Sequence, residues 1–599
     1  GKDAVPGDRL KHRPKSCAAT DFSKEIDVES HQFTIAVDVL HGRPGTVGGH
    51  LNLGIRLVGT PLLVSPVESA LRRSAMSPYS RQEQRCHHDY HHYYVRPLPA
   101  DTRYSHWNNE RSTSVQPVAT APISYYFNWH MQQQPLGTTP IVPLLARMAI
   151  PATIAMGTTA LYNLVDTIFI GRWVGTLGIA GVSIAFPVQI IVLSIALLIG
   201  LGTASVVSRA LGADDPERAA RVVGNAAMAI LVLSGIISVA GVVFIEPIMT
   251  LFGATQDVAP YTREYLSVII PGSVFVAGSI AATHIVRSEG AARYSMRIML
   301  LGAGLNILLD PIFIRVLDMG VRGAAIATVL AQASAAMYGL AFFLRGKSSI
   351  PIRLHHFRVY PKELGQSFSI GFPAFVRQVS QSVIIVLINN VLAGYGETSI
   401  AAFGLVHRVM IFSLLPLLGI GQGFQPIVGF NYGAGKFNRV REAVKVTRRV
   451  AFGVALIPFF AVMAFAPGIA SIFTTDAELI AIGSRALRIA LLIIPLVALQ
   501  VVGSIFFQAI GKAIPALFLS LSRQIIFLIP AVLILPNIWG RTGVWIAFPV
   551  ADLLAVIVTV VWLHYQIVRL ESDAHKDSSD SVGASGSASL KAAPAEGSS

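Results

Sequence analysis

Between residues 134 and 570 the chain is a succession of apolar stretches separated by short polar loops. A helix rises ~1.5 Å per residue, so about 20 apolar residues cross the ~30 Å of hydrocarbon in a bilayer. Twelve stretches reach that length, at 148–170, 180–206, 222–245, 262–286, 295–316, 323–344, 366–392, 399–427, 448–472, 480–508, 514–536 and 544–566. Lipid offers no partner for a backbone amide, so each is expected to be a helix rather than a strand. The fold class that follows is an all-α polytopic membrane protein with twelve transmembrane helices.

The pattern repeats. At a spacing near 221 residues, Gly175-Thr-Leu-Gly-Ile-Ala180 falls on Gly396-Glu-Thr-Ser-Ile-Ala401. Gly202 falls on Gly423, Gly212 on Gly433, Arg218 on Arg439 and Gly290 on Gly511. Matches at one offset, in loops as well as helices, predict two pseudo-symmetric six-helix lobes. Residues 134–345 form the first lobe, 346–363 a linker and 364–570 the second lobe. An even number of spans per lobe makes the repeat parallel, about an axis along the membrane normal. Transporters that bind substrate between two lobes are built this way.

Charge sets the orientation. One set of loops carries Arg209, Arg218, Arg221, Arg287, Arg293, Arg297, Arg345, Lys347, Arg353, Lys436, Arg439, Arg441 and Lys512. The opposite set carries little beyond Arg172, Arg315, Arg322 and Arg541. By the positive-inside rule the first set is cytoplasmic, as are both ends of the twelve-helix core, and the protein belongs in the cytoplasmic (inner) membrane. The net charge of +14 resides in the apolar middle, so it implies no nucleic-acid partner. Only 13% of residues are charged and 53% are hydrophobic, which excludes a disordered chain, and two cysteines, Cys17 and Cys86, cannot staple one this long. Residues 1–133 lack any sustained apolar period and read as a disordered or spurious extension, with Met131 a plausible true start. Their run His87, His88, Asp89, Tyr90, His91, His92 offers His pairs to a divalent metal, against the plainer reading of a disordered His-rich segment. Residues 571–599 read as a disordered, cytoplasmic polar tail.

Three acids fall well inside spans: Asp166, Asp310 and Asp552. An intramembrane carboxylate is costly unless it is protonated, paired or wet, which makes it a functional-site candidate. At ~1.5 Å per residue, Asp166 lies roughly 9 Å from the outer end of the first span and Asp310 ~8 Å from that of the fifth. Asn306 is one turn deeper on the face of Asp310, and Thr328 lies roughly 10 Å into the sixth span. These four oxygen-bearing side chains share one level of one lobe and suit a shared proton or a hard cation such as Na⁺. The alternative for Asn306 and Thr328 is that they only tie helices together. Asp552, in the other lobe, is either a substrate contact or a partner for Arg377 or Arg408, the basic residues read as lying inside spans. Tyr162, Asn163, Arg377, His407 and Asn389 are further candidates for a substrate cavity, His407 also reading as a packed polar residue. Pro151 and Pro311 are hinge candidates, because proline removes a backbone donor. No nucleophile–base pair, metal motif or phosphate loop occurs in the core, so neither an enzyme nor a bound cofactor is expected.

Leu161-Tyr-Asn-Leu-Val-Asp-Thr-Ile-Phe-Ile-Gly171 and Gly419-Ile-Gly-Gln-Gly-Phe-Gln-Pro-Ile-Val-Gly-Phe-Asn-Tyr-Gly-Ala-Gly435 resemble the first-helix and eighth-helix patterns of the multidrug and toxic compound extrusion family. The resemblance covers about 134–570. It implies a monomeric exporter of small organic, often cationic and amphiphilic compounds, working by antiport against H⁺ or Na⁺ with alternating access between the lobes. In the branch with an ion site in the first lobe, the family's Asp, Asn, Asp and Thr match Asp166, Asn306, Asp310 and Thr328. Its bending proline matches Pro151. Other branches place a Glu on the seventh helix, where this chain has no acid between Phe368 and Leu392. The competing reading is a flippase for a lipid-linked saccharide or similar amphiphile, which would need several inward-facing basic residues for phosphates.

Overall fold

The computed structural model describes residues 35–37, 55–57 and 135–590, with side chains from 135 to 569. The His87–His92 run, both cysteines, Met131 and nearly all of the N-terminal stretch lie outside the described residues. Within that stretch β1 (Ile35–Val37) pairs antiparallel with β2 (Ile55–Leu57).

All twelve apolar stretches are helical. The first lobe comprises α1 (Ile141–Trp173), α2 (Thr176–Gly212), α3 (Pro216–Val243), α4 (Ala259–Ile269 and Ser273–Ser288), α5 (Ala292–Pro311) and α6 (Gly320–Leu344). The second comprises α7 (Pro361–Ala393), α8 (Glu397–Gly433), α9 (Phe437–Ser471), α10 (Ala477–Ala490 and Ile494–Ala509), α11 (Ala513–Leu521 and Ile529–Trp539) and α12 (Arg541–Leu590). The backbone of α12 thus runs into the stretch whose composition reads as a polar tail. Two spans are bent, a feature not expected from hydropathy. α4 turns by 54° and its repeat mate α10 by 51°. Pro271 and Pro495 sit at the breaks, where each withholds a backbone donor. The repeat also extends to backbone conformation. Gly175 and Gly396, opening α2 and α8, have φ of +94° and +91°, a region that side chains with a β-carbon avoid.

The lobes meet along the arginine-rich end of the bundle. One apolar core there joins α2 residues such as Val207 and Ala210 to Phe424 and Val428 of α8 and Phe506 of α10. Toward the other end each lobe has its own core, around Leu266 and Ala325 in the first and around Ile388, Leu487 and Trp545 in the second. Exposed Val239 and Val243 of α3, Ile457 and Phe460 of α9 and Val561 of α12 belong to the apolar exterior that lipid covers.

Glycines bring the two backbones together at this seam. A β-carbon on Gly371 of α7 would lie 1.8 Å from the Leu198 carbonyl oxygen of α2, and one on Gly202 1.9 Å from that of Ser367. In a pseudo-symmetric contact, a β-carbon on Gly212 would meet the Phe430 carbonyl oxygen at 2.0 Å and one on Gly433 that of Arg209 at 2.1 Å. Small residues permit such approaches between membrane helices, where apolar side chains gain nothing from leaving lipid.

The linker between the lobes is fastened to the first one. Tyr360 N–H donates to Asn225 Oδ1 (2.9 Å), and Asn225 Nδ2 donates back to the Tyr360 carbonyl (3.0 Å). The Arg353 amide can only donate, so His356 Nδ1 accepts from it (3.0 Å), which leaves Nε2–H to donate to Glu217 (2.9 Å). Glu289, in the turn after α4, is buried and accepts from Ser348 Oγ (2.8 Å) and Ser349 N–H (2.7 Å). Burial outweighs these bonds and pushes the Glu289 carboxyl up to about 8.

Two outcomes follow from this packing. Gly371→Ala should lower stability by about 1–3 kcal/mol through overpacking of the seam. Gly157→Ala, where a β-carbon meets nothing within 4 Å, should be neutral or stabilising; thermal melts in detergent compare them. Glu289 should make stability fall with rising pH. Below its unfolded value of 4.5 both states hold the proton; from there to about 8 only the folded state does. The loss is on the order of a few kcal/mol, and Glu289→Gln should flatten the melting temperature across that window.

Candidate ion and substrate site

α5 changes its winding beside the candidate acid Asp310. Pro311 has no amide hydrogen to give, and after it residues Ile312–Val316 turn as a π-helix. Asp310, which directly precedes Pro311, is fully buried. Asn306, one turn earlier and also buried, donates through Nδ2 to Asp310 Oδ1 (3.2 Å) and to Thr328 Oγ1 of α6 (3.2 Å). Asp166 of α1 lies in side-chain contact with Asp310. The sequence-predicted quartet is therefore one cluster, drawn from three helices.

Its hydrogen bonding is incomplete. Asp166 Oδ1, Asn306 Oδ1 and Asp310 Oδ2 are each buried without a partner among the described residues. All three are acceptors unless a carboxyl is protonated, and Asn306 has spent its amide hydrogens on Asp310 and Thr328. An orphaned acceptor in an apolar interior costs about 1–3 kcal/mol. A proton shared by the carboxyls, or a small hard cation among the three oxygens, removes that cost.

Two tyrosines border the cluster. Tyr162 of α1, a turn before Asp166, and Tyr265 of α4 both lie within electrostatic reach of the two carboxyls. Gln189 of α2 donates through Nε2 to the Tyr265 hydroxyl at 2.7 Å. Tyr265 and Gln189 are absent from the sequence reading. Their signals were proximity to prolines, since Tyr265 precedes the Pro271 bend and Gln189 follows Pro187 by two residues. Asn163 is exposed, off the face that Tyr162 and Asp166 share.

The second lobe differs from expectation. Asp552 of α12 is held by neither Arg377 nor Arg408. Its partner is Arg523, whose Nε donates to Oδ1 at 2.5 Å and Nη2 to Oδ2 at 3.3 Å. Arg523 lies in a second π-helical turn, Ser522–Leu528, which interrupts α11 as Ile312–Val316 ends α5. The reading that confined basic residues inside spans to Arg377 and Arg408 is thus corrected: Arg523 joins them, as do exposed Arg485 and Arg488 of α10. Arg377 is half-buried within electrostatic reach of Arg523. His407 packs with its ring 5.7 Å from that of Phe403, and Asn389 is half-buried on α7. Pro151 is buried in α1 without interrupting the helix, roughly 22 Å of helix before Asp166. It adjoins the seam, where Gly423 of α8 approaches Ala149.

Comparison with known proteins places this geometry. The family model MatE matches twice, over residues 151–312 and 373–533, once in each lobe. The multidrug export protein MepA of Staphylococcus aureus is 26% identical over 437 residues, 73% of this chain and 96% of that protein. The solved structure of the MATE multidrug transporter DinF-BH is 46% identical, with a TM-score of 0.68 over 72% of this chain and 98% of that one. The crystal structure of MATE in the straight conformation superposes with a TM-score of 0.70 at 29% identity, over 74% and 99% of the two chains. With both lobes matched by the family model and the two-lobe fold by solved transporters, the chain belongs to the MatE family of multi-pass membrane transporters.

Proposed function

We propose that this protein is a secondary active exporter of small, organic, cationic and amphiphilic compounds, driven by H⁺ or Na⁺ moving the opposite way. One observation carries the reading: two carboxyls and an amide oxygen of the first lobe are buried together with no partner for three of their oxygens. Such a cluster is stable when it holds a cation and strained when it does not, so its loading can bias one conformation over another. The names of the relatives, multidrug export protein and multidrug transporter, supply the cargo class. No cofactor enters the cycle.

The cycle runs on the two ends of the bundle. With the arginine-rich end on the cytoplasmic side, the seam of Gly202, Gly212, Gly371 and Gly433 closes the cytoplasmic path. Separate cores at the opposite end let the lobes part toward the outside. There a proton or Na⁺ binds Asp166 and Asp310, cargo leaves, and the seam opens inward with the ion released and new cargo bound. In this reading the exporter is a monomer of the cytoplasmic membrane with both ends of the core inside. The chemistry of the cluster admits either ion, and the test separates them.

Dye uptake into inverted vesicles, driven by an imposed pH gradient or an imposed Na⁺ gradient, identifies the ion. Asp166→Asn and Asp310→Asn should each lower gradient-driven uptake at least tenfold and by similar amounts, since each removes half of one site. Wild-type rates in either variant, under the gradient that drives the native protein, would remove the pair from coupling. Asn306→Ala should have a smaller effect, about tenfold or less, because it costs hydrogen bonds of about 1 kcal/mol but no charge.

A further inference from the structure

The charges of the second lobe do not balance. α7 is 33 residues long and Arg377 stands at its middle, near the centre of the membrane. Asp552 is the acid that falls well inside a span of that lobe, and both its oxygens are taken by Arg523. The neighbouring groups that face Arg377 thus contribute another guanidinium and no free carboxylate. Arg377 itself is half-buried and makes no hydrogen bond or ion pair among the described residues. A guanidinium cannot shed its proton in a protein, so the imbalance is permanent. Unpaired charge at this depth is expensive and marks substrate or ion pathways in membrane proteins. The first lobe carries the opposite imbalance, two carboxyls with no basic partner.

We infer that Arg377, backed by the Arg523–Asp552 pair, is a receptor for a carboxylate borne by the exported compound. The planar guanidinium fork matches a carboxylate in two parallel hydrogen bonds, and Asp552 occupies two of Arg523's donors while the whole fork of half-buried Arg377 is left to a guest. The preferred cargo is then an amphiphile with a cationic body and a carboxylate arm, its two ends facing the two lobes. This specifies the cargo of the efflux reading and rests on it.

A cationic xanthene dye carrying a free carboxylate, and the ethyl ester of the same dye, test this, because they share one ring system and differ only in that arm. Full-length protein in proteoliposomes should move both. The acid-to-ester ratio of transport should fall about tenfold in Arg377→Gln. In Arg377→Lys, which keeps the charge but loses the fork, it should fall by about threefold, and this variant decides the matter if Arg377→Gln does not fold. Transport of the ester but not the acid by the wild type would overturn the inference and leave efflux intact. So would an unchanged ratio in either variant. Transport of neither dye would overturn the efflux reading, and the carboxylate receptor with it.

Discussion

Two carboxyl groups in contact inside an apolar lobe set the terms for the rest of this molecule. Even at an effective dielectric near 20, two negative charges ~4 Å apart repel by about 4 kcal/mol, before the cost of taking each from water is counted. Asp166 and Asp310 therefore cannot rest as two bare carboxylates. Asn306 does not relieve them, since one amide group cannot balance two acids and its own oxygen is left without a donor. Among the described residues no basic side chain pairs with either acid, so the balancing charge has to be a proton or a cation from outside the lobe. This need is local, and its reach depends on what α1 and α5 are joined to.

α1 is the element that connects the two regions of consequence. At one end Asp166 stands in the cluster; roughly 22 Å away along the helix, Ala149 and Pro151 lie against α8 at the lobe seam. The seam is made of backbone against backbone, so it has little room for partial adjustment and favours being either closed or parted. A helix bearing a charge-sensitive site at one end and a close-packed contact at the other is suited to couple the two. α5 offers a second flexible point where Pro311 releases the regular ladder into a π-turn beside Asp310.

Much of this was legible in the sequence, because its signals are additive along the chain. Twelve spans follow from hydropathy, and the lobes from glycines recurring at one offset. The Asp166, Asn306, Asp310 and Thr328 cluster follows from depth and helical spacing, which is why it survives as a set of actual contacts. What depended on packing between helices or on helix irregularity was missed. Arg523 stands inside the predicted span 514–536 and was overlooked there; that it meets Asp552 is set by how α11 packs on α12, which spacing along a single helix does not encode. The bends of α4 and α10 were signalled by Pro271 and Pro495, yet hydropathy alone reads through them. Tyr265 comes to the acids from α4 by contact between helices, which spacing along one helix does not encode.

The two lobes, alike in backbone, have diverged in charge. The repeat preserves the glycines and the bent fourth helices, which are geometric requirements of the shared fold, and places a π-turn in the fifth helix of each lobe, though at different depths. It does not preserve the ionisable groups. The first lobe keeps two acids without a base, and the second keeps Arg377 and Arg523 over a single acid. Equal lobes about a pseudo-twofold axis would present like charges to one another and repel at the midplane. Opposite imbalances avoid that repulsion, and in the proposed cycle a driving ion and a zwitterionic guest complete them. Under the proposed efflux cycle, symmetry in packing with asymmetry in charge assigns the driving ion to one half of the bundle and the cargo to the other.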